Sequence, residues 1–405
     1  MRVSLEKANE LIRATLRPLP PVRLPLSEAL GCITAECVTA SMDQPPFPRS
    51  PYDGYALRAL DSRGASRESP VLLTVIGQSF AGKPSDKSVG KGESVRIMTG
   101  GVIPEGADCV IPQELTDEGE DRVGIYEILE PYDNYCRQGE DFLKNTELVP
   151  SGIAVTAAVL AVAASAGLTS LLVYPKPRAA VLSTGDELQT LGFPLINGQI
   201  YGSNAPYLTT RLAELGLPVA HTALVHDELA EIARAFEMAA NHSDIVISTG
   251  GVSAGKKDLV PDALESLGAE TIFHGVEIKP GMPAALAILG GKPVVALSGN
   301  PFASAVTFEL LARPALAILA SNPFFEAHRF GAKLSNGFNK ARPVLRFVHG
   351  LFNDGMVSIG SGQGSGQLRT MIGSNCLVEL PAGQEPISSG TVINVFLLEG
   401  GIYGG

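Results

Sequence analysis

Apolar residues recur three and four positions apart at the start of the chain, at Leu5, Ala8, Ile12 and Leu16. Ser4 can cap the first turn, and Pro18, Pro20 and Pro21 stop the run, so residues 4–16 are expected to form an amphipathic helix. From about Leu24 to Glu147 the pattern changes to short apolar runs (VLLTVIG, SVRIM, CVIP, VGIYEIL) separated by Gly, Pro, Asp and Ser clusters. That texture predicts mixed β structure with long loops. No charge occurs from Leu148 to Pro175, an Ala-rich stretch broken by Gly152 and Gly167. A buried helix of about 15 residues followed by a strand fits it better than a membrane span, which needs about 20 strongly apolar residues.

Beyond Pro177 apolar strands alternate with helical stretches. RAAVLSTG, PVAHTALV, DIVISTGG, TIFHGVEI and KPVVALSG read as strands, with helices at about 203–215, 227–241, 258–266 and 301–320. Such alternation predicts a parallel sheet covered on both faces. From Pro323 the chain returns to β texture (VLRFVHGLF, MVSIG, CLVELP, VINVFLL), with a turn at Asn353-Asp354-Gly355. The expected fold class is multidomain α/β plus β: a mixed β region, a central parallel α/β sheet domain, and a small, barrel-like β domain at the C-terminal end.

Composition narrows the function classes. With 405 residues, 45% hydrophobic and 18% charged, the chain has apolar material for two to four domains and is neither disordered nor collagen-like. Its 31 Lys and Arg against 42 Asp and Glu give a net charge of −11, with no basic tract, so nucleic acid is not an expected partner. Any anionic ligand must be held by local donors. Cys32, Cys37, Cys109, Cys136 and Cys376 are odd in number and form no CxxC pair. Buried reduced thiols are expected, and with no apolar signal-like region in the first residues, so is a cytoplasmic location without membrane attachment.

Three strands of the α/β segment run into glycine-bearing loops: Ser183-Thr184-Gly185-Asp186-Glu187, Gly250-Gly251-Val252-Ser253-Ala254-Gly255, and Ser298-Gly299-Asn300-Pro301. Ligands of open parallel sheets bind beyond the carboxyl ends of the strands, and glycine lets the backbone approach an anion closely. One such loop is ordinarily a turn; three in one domain point to a site for phosphate or another oxyanion. Asp186, Glu187 and Asp258 are either caps and solvated turn residues or, beside such loops, groups that hold Mg²⁺ or position water. Lys279, in Lys279-Pro280-Gly281-Met282-Pro283, is either a solvated surface residue or a cation for the same anion. Three N-terminal segments also stand out: the proline-stiffened 45–56 around Asp53-Gly54, Arg96-Ile97-Met98-Thr99-Gly100-Gly101, and Arg137-Gln138-Gly139-Glu140-Asp141.

Taken in order, these segments, with Ser203-Asn204 and the KPGxP and GNP motifs, resemble the molybdopterin molybdenumtransferase family over essentially the whole chain. The resemblance implies an enzyme that inserts molybdate into adenylated molybdopterin, with Mg²⁺-dependent release of AMP. It implies an elongated homodimer whose cleft lies between the α/β domain of one subunit and the N-terminal β domain of the other. Transient contact with an adenylyltransferase of the same pathway and with molybdoenzyme apoproteins is implied as well. The domains would be 1–24 with 145–176 (helical/linker), 25–144 (inserted mixed β), 177–322 (α/β, molybdopterin-binding) and 323–405 (C-terminal β). Mapped by position, Asp53, Thr99, Asp141 and Glu187 fall on catalytic positions. Ser183, Thr184, Gly185, Ser203, Asn204, Gly250, Gly251, Ser253, Gly255, Asp258, Lys279, Ser298, Gly299, Asn300 and Pro301 fall on substrate-binding ones. Asp53, Glu187 and Asp258 are the implied Mg²⁺ ligands, direct or through water.

The sequence departs from the family pattern at several points. Met282 replaces a second lysine, Lys256 stands where an acidic residue is common, Ser298 replaces proline, and 47–51 reads Phe-Pro-Arg-Ser-Pro. Losing a cation at an oxyanion site weakens binding by about 1.5–3 kcal/mol. Lys256, Lys257 or Arg49 are placed in sequence to restore it; unchanged molybdate and substrate binding by Lys256→Ala and Lys257→Ala proteins would exclude the two lysines from that role. Two other readings remain open at this point: an adenylyltransferase acting on molybdopterin, and a paralogue that binds pterin or a protein partner without turnover.

Overall fold

The computed structural model describes residues 2–252, 259–360 and 368–398. By contacts the chain divides into two compact units: 1–35 with 152–156 and 172–405, and 36–151 with 157–171.

The first unit is built on a six-stranded sheet. Its order is Val219–Val225, Ala179–Thr184, Ile245–Thr249, Lys292–Leu297, Ala285–Leu289 and Glu270–His274, with the first four strands parallel and Ala285–Leu289 antiparallel to both of its neighbours. The central strands are apolar almost without break because both faces are covered. Ala179 and Val181 join one core cluster and Ala180 and Leu182 the other, and Ile245, Val246 and Ile247 alternate likewise. Strand Ala285–Leu289, which the alternation of strands and helices does not announce, forms a hairpin with Lys292–Leu297 through Gly290-Gly291. The stretch TIFHGVEI divides: Glu270–His274 stays in this sheet, whereas Ile278–Lys279 pairs with Leu345–Arg346 of the C-terminal strands.

Helix Leu5–Thr15 forms where the spacing predicts. The Ser4 hydroxyl accepts from the Lys7 amide at 3.1 Å, and Leu5, Ala8 and Ile12 are buried in the same cluster as Leu311, Ala315 and Leu316. Helical structure runs from Pro301 to Leu319, α-helical at both ends with a π turn at Phe308–Ala312. This run is long and apolar enough to cross a membrane by composition alone, but 94% of its apolar window is buried inside the fold, as a core helix. The Ala-rich stretch forms a helix only over Ala157–Ser165, shorter than the expected 15 residues. The residues before it are drawn into β contacts: Ala154 bridges Ile33, and the Val155 amide donates to the Cys32 carbonyl at 2.8 Å.

Five C-terminal strands, Arg329–Leu334, Leu345–Asn353, Met356–Ile359, Cys376–Leu380 and Val392–Leu397, pair in a closed ring, a small barrel. Its hairpin turns at Asp354 and Gly355, both at positive φ (46° and 76°), the geometry that matches the twist of the flanking strands.

The second unit contains a five-stranded sheet, ordered Cys109–Pro112, Gly54–Leu57, Glu93–Ile97, Val71–Ser79 and Arg122–Ile125. Strand Gly54–Leu57 is buried throughout, and a Cβ on Gly54 would lie 1.9 Å from the Ile111 carbonyl oxygen. The glycine is what lets the chain pass from the Asp53 loop into the sheet.

Candidate functional site

Three neighbouring parallel strands deliver their glycine loops to one edge of the central sheet. Ser183 is level with Thr249, and Thr249 with Leu297, so the loops at 184–187, 250–252 and 298–301 emerge side by side. They pack backbone against backbone. Gly250 (φ +96°) has no room for a Cβ, which would fall 2.2 Å from the Thr184 carbonyl oxygen. At Gly251 (φ +60°) it would fall 2.9 Å from Thr184 Oγ1. The glycines predicted to approach a ligand are thus also required to let the loops approach one another.

A cavity of ≈ 270 Å³ lies at this edge, its walls including Ser183, Thr184, Glu187, Ser203, Asn204 and Asn300. Helix Asn204–Glu214 and the run from Pro301 both begin here, so unpaired amides at their N-termini bring partial positive charge to an otherwise acidic protein. Asn204 ties the loops together. Its Nδ2 donates to Thr249 Oγ1 and to the Gly299 carbonyl, both at 2.8 Å, while Thr249 Oγ1 donates to the Ser298 carbonyl at 2.9 Å. Because Thr249 spends its proton on Ser298, it must accept from Asn204, which fixes the amide orientation and leaves Oδ1 as an acceptor. That Oδ1, Ser183 Oγ and Thr184 Oγ1 are buried without a partner among the described residues. Buried polar groups are ordinarily paired, so three orphans at one cavity mark a place where a ligand or water completes the bonding.

The N-terminal segments come together in the second unit. Arg49 exchanges backbone bonds with Cys136 (3.0 and 3.1 Å), Ser50 with Gly100 and Gly101 (2.8 and 3.0 Å), and the Asp141 amide donates to the Gln44 carbonyl at 3.0 Å. Asp53 Oδ1 accepts from both the amide and the hydroxyl of Thr99, each at 2.7 Å. The Thr99 amide, then its hydroxyl, hold the Asp53 carboxyl below its ordinary range. Asp141 is exposed on the same joined segments.

The expected site residues therefore fall into two groups. Ser183, Thr184, Glu187, Ser203, Asn204, Gly299, Asn300 and Pro301 line the cavity; Gly185, Gly250, Gly251 and Ser298 shape its loops. Asp53, Thr99 and Asp141 belong to the other unit. Lys279 is exposed, beside Arg346 in the register of the C-terminal strands, and is not among the residues lining the cavity. Ser253, Gly255 and Asp258, with Lys256 and Lys257, lie outside the described residues. Sequence reasoning passed over Thr249, whose hydroxyl is the hub of the loop network, and Tyr201 and Gly202 of the cavity wall. Their signal was adjacency, to Gly250 on one side and to Ser203-Asn204 on the other.

Among the described residues no group of three or more His, Cys, Asp or Glu is placed to hold a metal ion. The donors at the cavity are oxygens, with one carboxylate, Glu187. That set suits Mg²⁺, which keeps several waters and binds through one or two carboxylates together with substrate phosphates.

Comparison with known proteins decides the family. Residues 3–167 match the model of the MoeA N-terminal region (domain I and II), 180–318 that of a probable molybdopterin binding domain, and 331–398 that of the MoeA C-terminal region (domain IV). A molybdopterin molybdenumtransferase of Staphylococcus epidermidis is 34% identical over 401 residues, 98% of this chain and 96% of the relative. This chain belongs to the molybdopterin molybdenumtransferase family. Molybdopterin molybdenumtransferase 2 of Mycobacterium tuberculosis is likewise 34% identical, over 97% of this chain and 99% of its own. The crystal structure of a molybdopterin biosynthesis MoeA protein from Pyrococcus horikosii shares the family fold, with a TM-score of 0.82 at 31% identity, covering 99% of this chain and 100% of that one.

Proposed function

We propose that this protein is the molybdopterin molybdenumtransferase its family membership indicates, inserting molybdate into adenylated molybdopterin with release of AMP. The observation that carries the reading is the cavity where three glycine loops, two helix N-termini and three orphaned polar groups meet. The substrate brings phosphates and the metal arrives as a tetrahedral oxyanion, so both need many short donors rather than a strongly basic surface. Ser183 and Thr184 supply hydroxyl donors, and Asn204 Oδ1 takes an N–H or O–H from the substrate and so fixes its orientation. Asp53, kept ionised by Thr99, orients water or a substrate hydroxyl from the second unit.

Mg²⁺ would be held by Glu187, Asp53 and Asp258, directly or through water, and when bound screens the phosphoanhydride charge. The protein acts as a homodimer in which the Asp53 unit of one subunit serves the cavity of the other. A cytoplasmic setting is supported by five cysteines that are all unpaired and by burial of the apolar helix at 301–319. The direct test supplies purified protein with adenylated molybdopterin, Mg²⁺ and molybdate. AMP release that depends on molybdate, with active cofactor formed, is the expected result; substrate binding without AMP release would overturn the reading.

A further inference from the structure

Residues 130–134 of the second unit form a turn locked to strand Cys109–Pro112 and the residue before it. The Tyr132 amide donates to the Asp108 carbonyl at 2.7 Å, the Val110 amide to the Asp133 carbonyl at 3.1 Å, and Asn134 Nδ2 to the Val110 carbonyl at 2.9 Å. Those bonds hold Tyr132 at φ +72° and Asn134 at φ +51°. Asparagine adopts left-handed backbone readily; for a bulky side chain it is an outlier, because the Cβ crowds the carbonyl that follows. Among the described residues, Tyr132 is the one aromatic at positive φ.

Packing does not account for the ring, which is 52% exposed. It meets Tyr135 at right angles, with centroids 5.3 Å apart, and Tyr135 packs against the buried cluster of Ala56, Ile97, Ile103 and Val110. Over its face lies Arg137, whose Cζ is 4.3 Å from the ring centroid. Arg137 opens the segment that ends at Asp141, and Cys136 before it exchanges backbone bonds with Arg49, so it sits on the joined segments that carry Asp53 and Thr99. The Arg137 amide takes Glu140 Oε2 at 2.7 Å, which commits that carboxylate to the backbone. Among the described residues no carboxylate or carbonyl pairs with the exposed Arg137 guanidinium. Its face is stacked and its rim of N–H donors is left open, the state in which a guanidinium grips an oxyanion through two parallel bonds.

We propose that Tyr132 is a positioning residue whose ring, held in a disfavoured backbone conformation, presents the open donor edge of Arg137 to a tetrahedral oxyanion at the Asp53 group. The inference rests on the proposed function, whose reaction brings two such oxyanions, the substrate phosphate and molybdate. Titration calorimetry on the full chain with inorganic phosphate and with molybdate separates the two sources. One of them is expected to bind the parent and Tyr132→Phe alike, since phenylalanine keeps the ring face. Its affinity should weaken about twofold to fivefold in Tyr132→Gly and about tenfold or more in Arg137→Ala. Because the ring acts only through the guanidinium, the double variant should bind as Arg137→Ala does. Glycine accepts positive φ freely, so Tyr132→Gly is expected to melt no earlier than the parent.

Three results would overturn the inference: a parent that binds neither anion, a Tyr132→Gly protein that binds both as the parent does, or a Tyr132→Gly loss that persists undiminished beside Arg137→Ala. Tyr132-dependent anion binding in a protein that releases no AMP would support the positioning role while refuting the proposed reaction. Molybdate-dependent AMP release with anion affinity unchanged in Tyr132→Gly would do the reverse, so the two failures are distinguishable.

Discussion

At the residue scale, the two groups of site residues differ in what holds them. Asp53 depends on hydrogen bonds to one neighbour. Its carboxyl is depressed below the ordinary 3.8, so the stabilisation from Thr99 is fully present above that value and lost as pH falls through the lower folded value. Activity should therefore show no Asp53 titration above about pH 5. Asp53→Asn is expected to lower molybdate-dependent AMP release by about a hundredfold or more, and Thr99→Val by less, because the amide donor stays. A pH–rate profile of Thr99→Val with a new midpoint above about pH 5 would contradict this assignment. Gly250 is held by sterics. Gly250→Ala forces a Cβ against the Thr184 backbone at positive φ, expected to cost about 1–3 kcal/mol and to abolish turnover. A thermal melt and a turnover assay that both match the parent would show that the loops have slack the structure does not display.

At the scale of elements, what the sequence made legible was local. Strand-then-glycine patterns at 183–185, 248–251 and 297–299 carry their own signal, because a buried parallel strand is apolar throughout and the close approach after it demands glycine. Glu309, Arg211 and Arg313 were invisible by the same logic. Glu309 and Arg313 are four positions apart, a spacing that reads as an ordinary surface pair on a helix, whereas Arg211 is 98 positions from Glu309 and nothing local announces a buried carboxylate between two guanidiniums. Strand Ala285–Leu289 was missed because a run of small apolar residues reads equally as the approach to the next strand. Yet the Glu309 cluster joins the two helical runs whose first turns line the cavity. Glu309→Ala leaves Arg313, 0% exposed, without its counter-charge and should cost about 3–5 kcal/mol. Chemical denaturation of the variant should show an earlier transition for the first unit; an unchanged midpoint would mean that the pair is compensated elsewhere.

At the scale of the whole molecule, the division of the site residues between two compact units raises the question of which copy of the chain supplies each. If the Asp53 unit of one subunit serves the cavity of the other, two inactive proteins can repair each other. In a mixed dimer of Asp53→Asn and Glu187→Gln, one site collects both substitutions and the other collects neither. Random mixing makes half of the dimers mixed, each with one intact site of two, so about a quarter of parental turnover should return. If each chain completes its own site, every site in the mixture carries one substitution and no activity returns. The measurement is AMP release after co-refolding or co-expression of the two variants, with each alone as background. A return of activity near a quarter would also require that the protein be at least a dimer, which sedimentation of the same sample would verify. Failure to complement in a demonstrated dimer would confine the site to one chain and leave the loop chemistry at 183–187 and 298–301 intact.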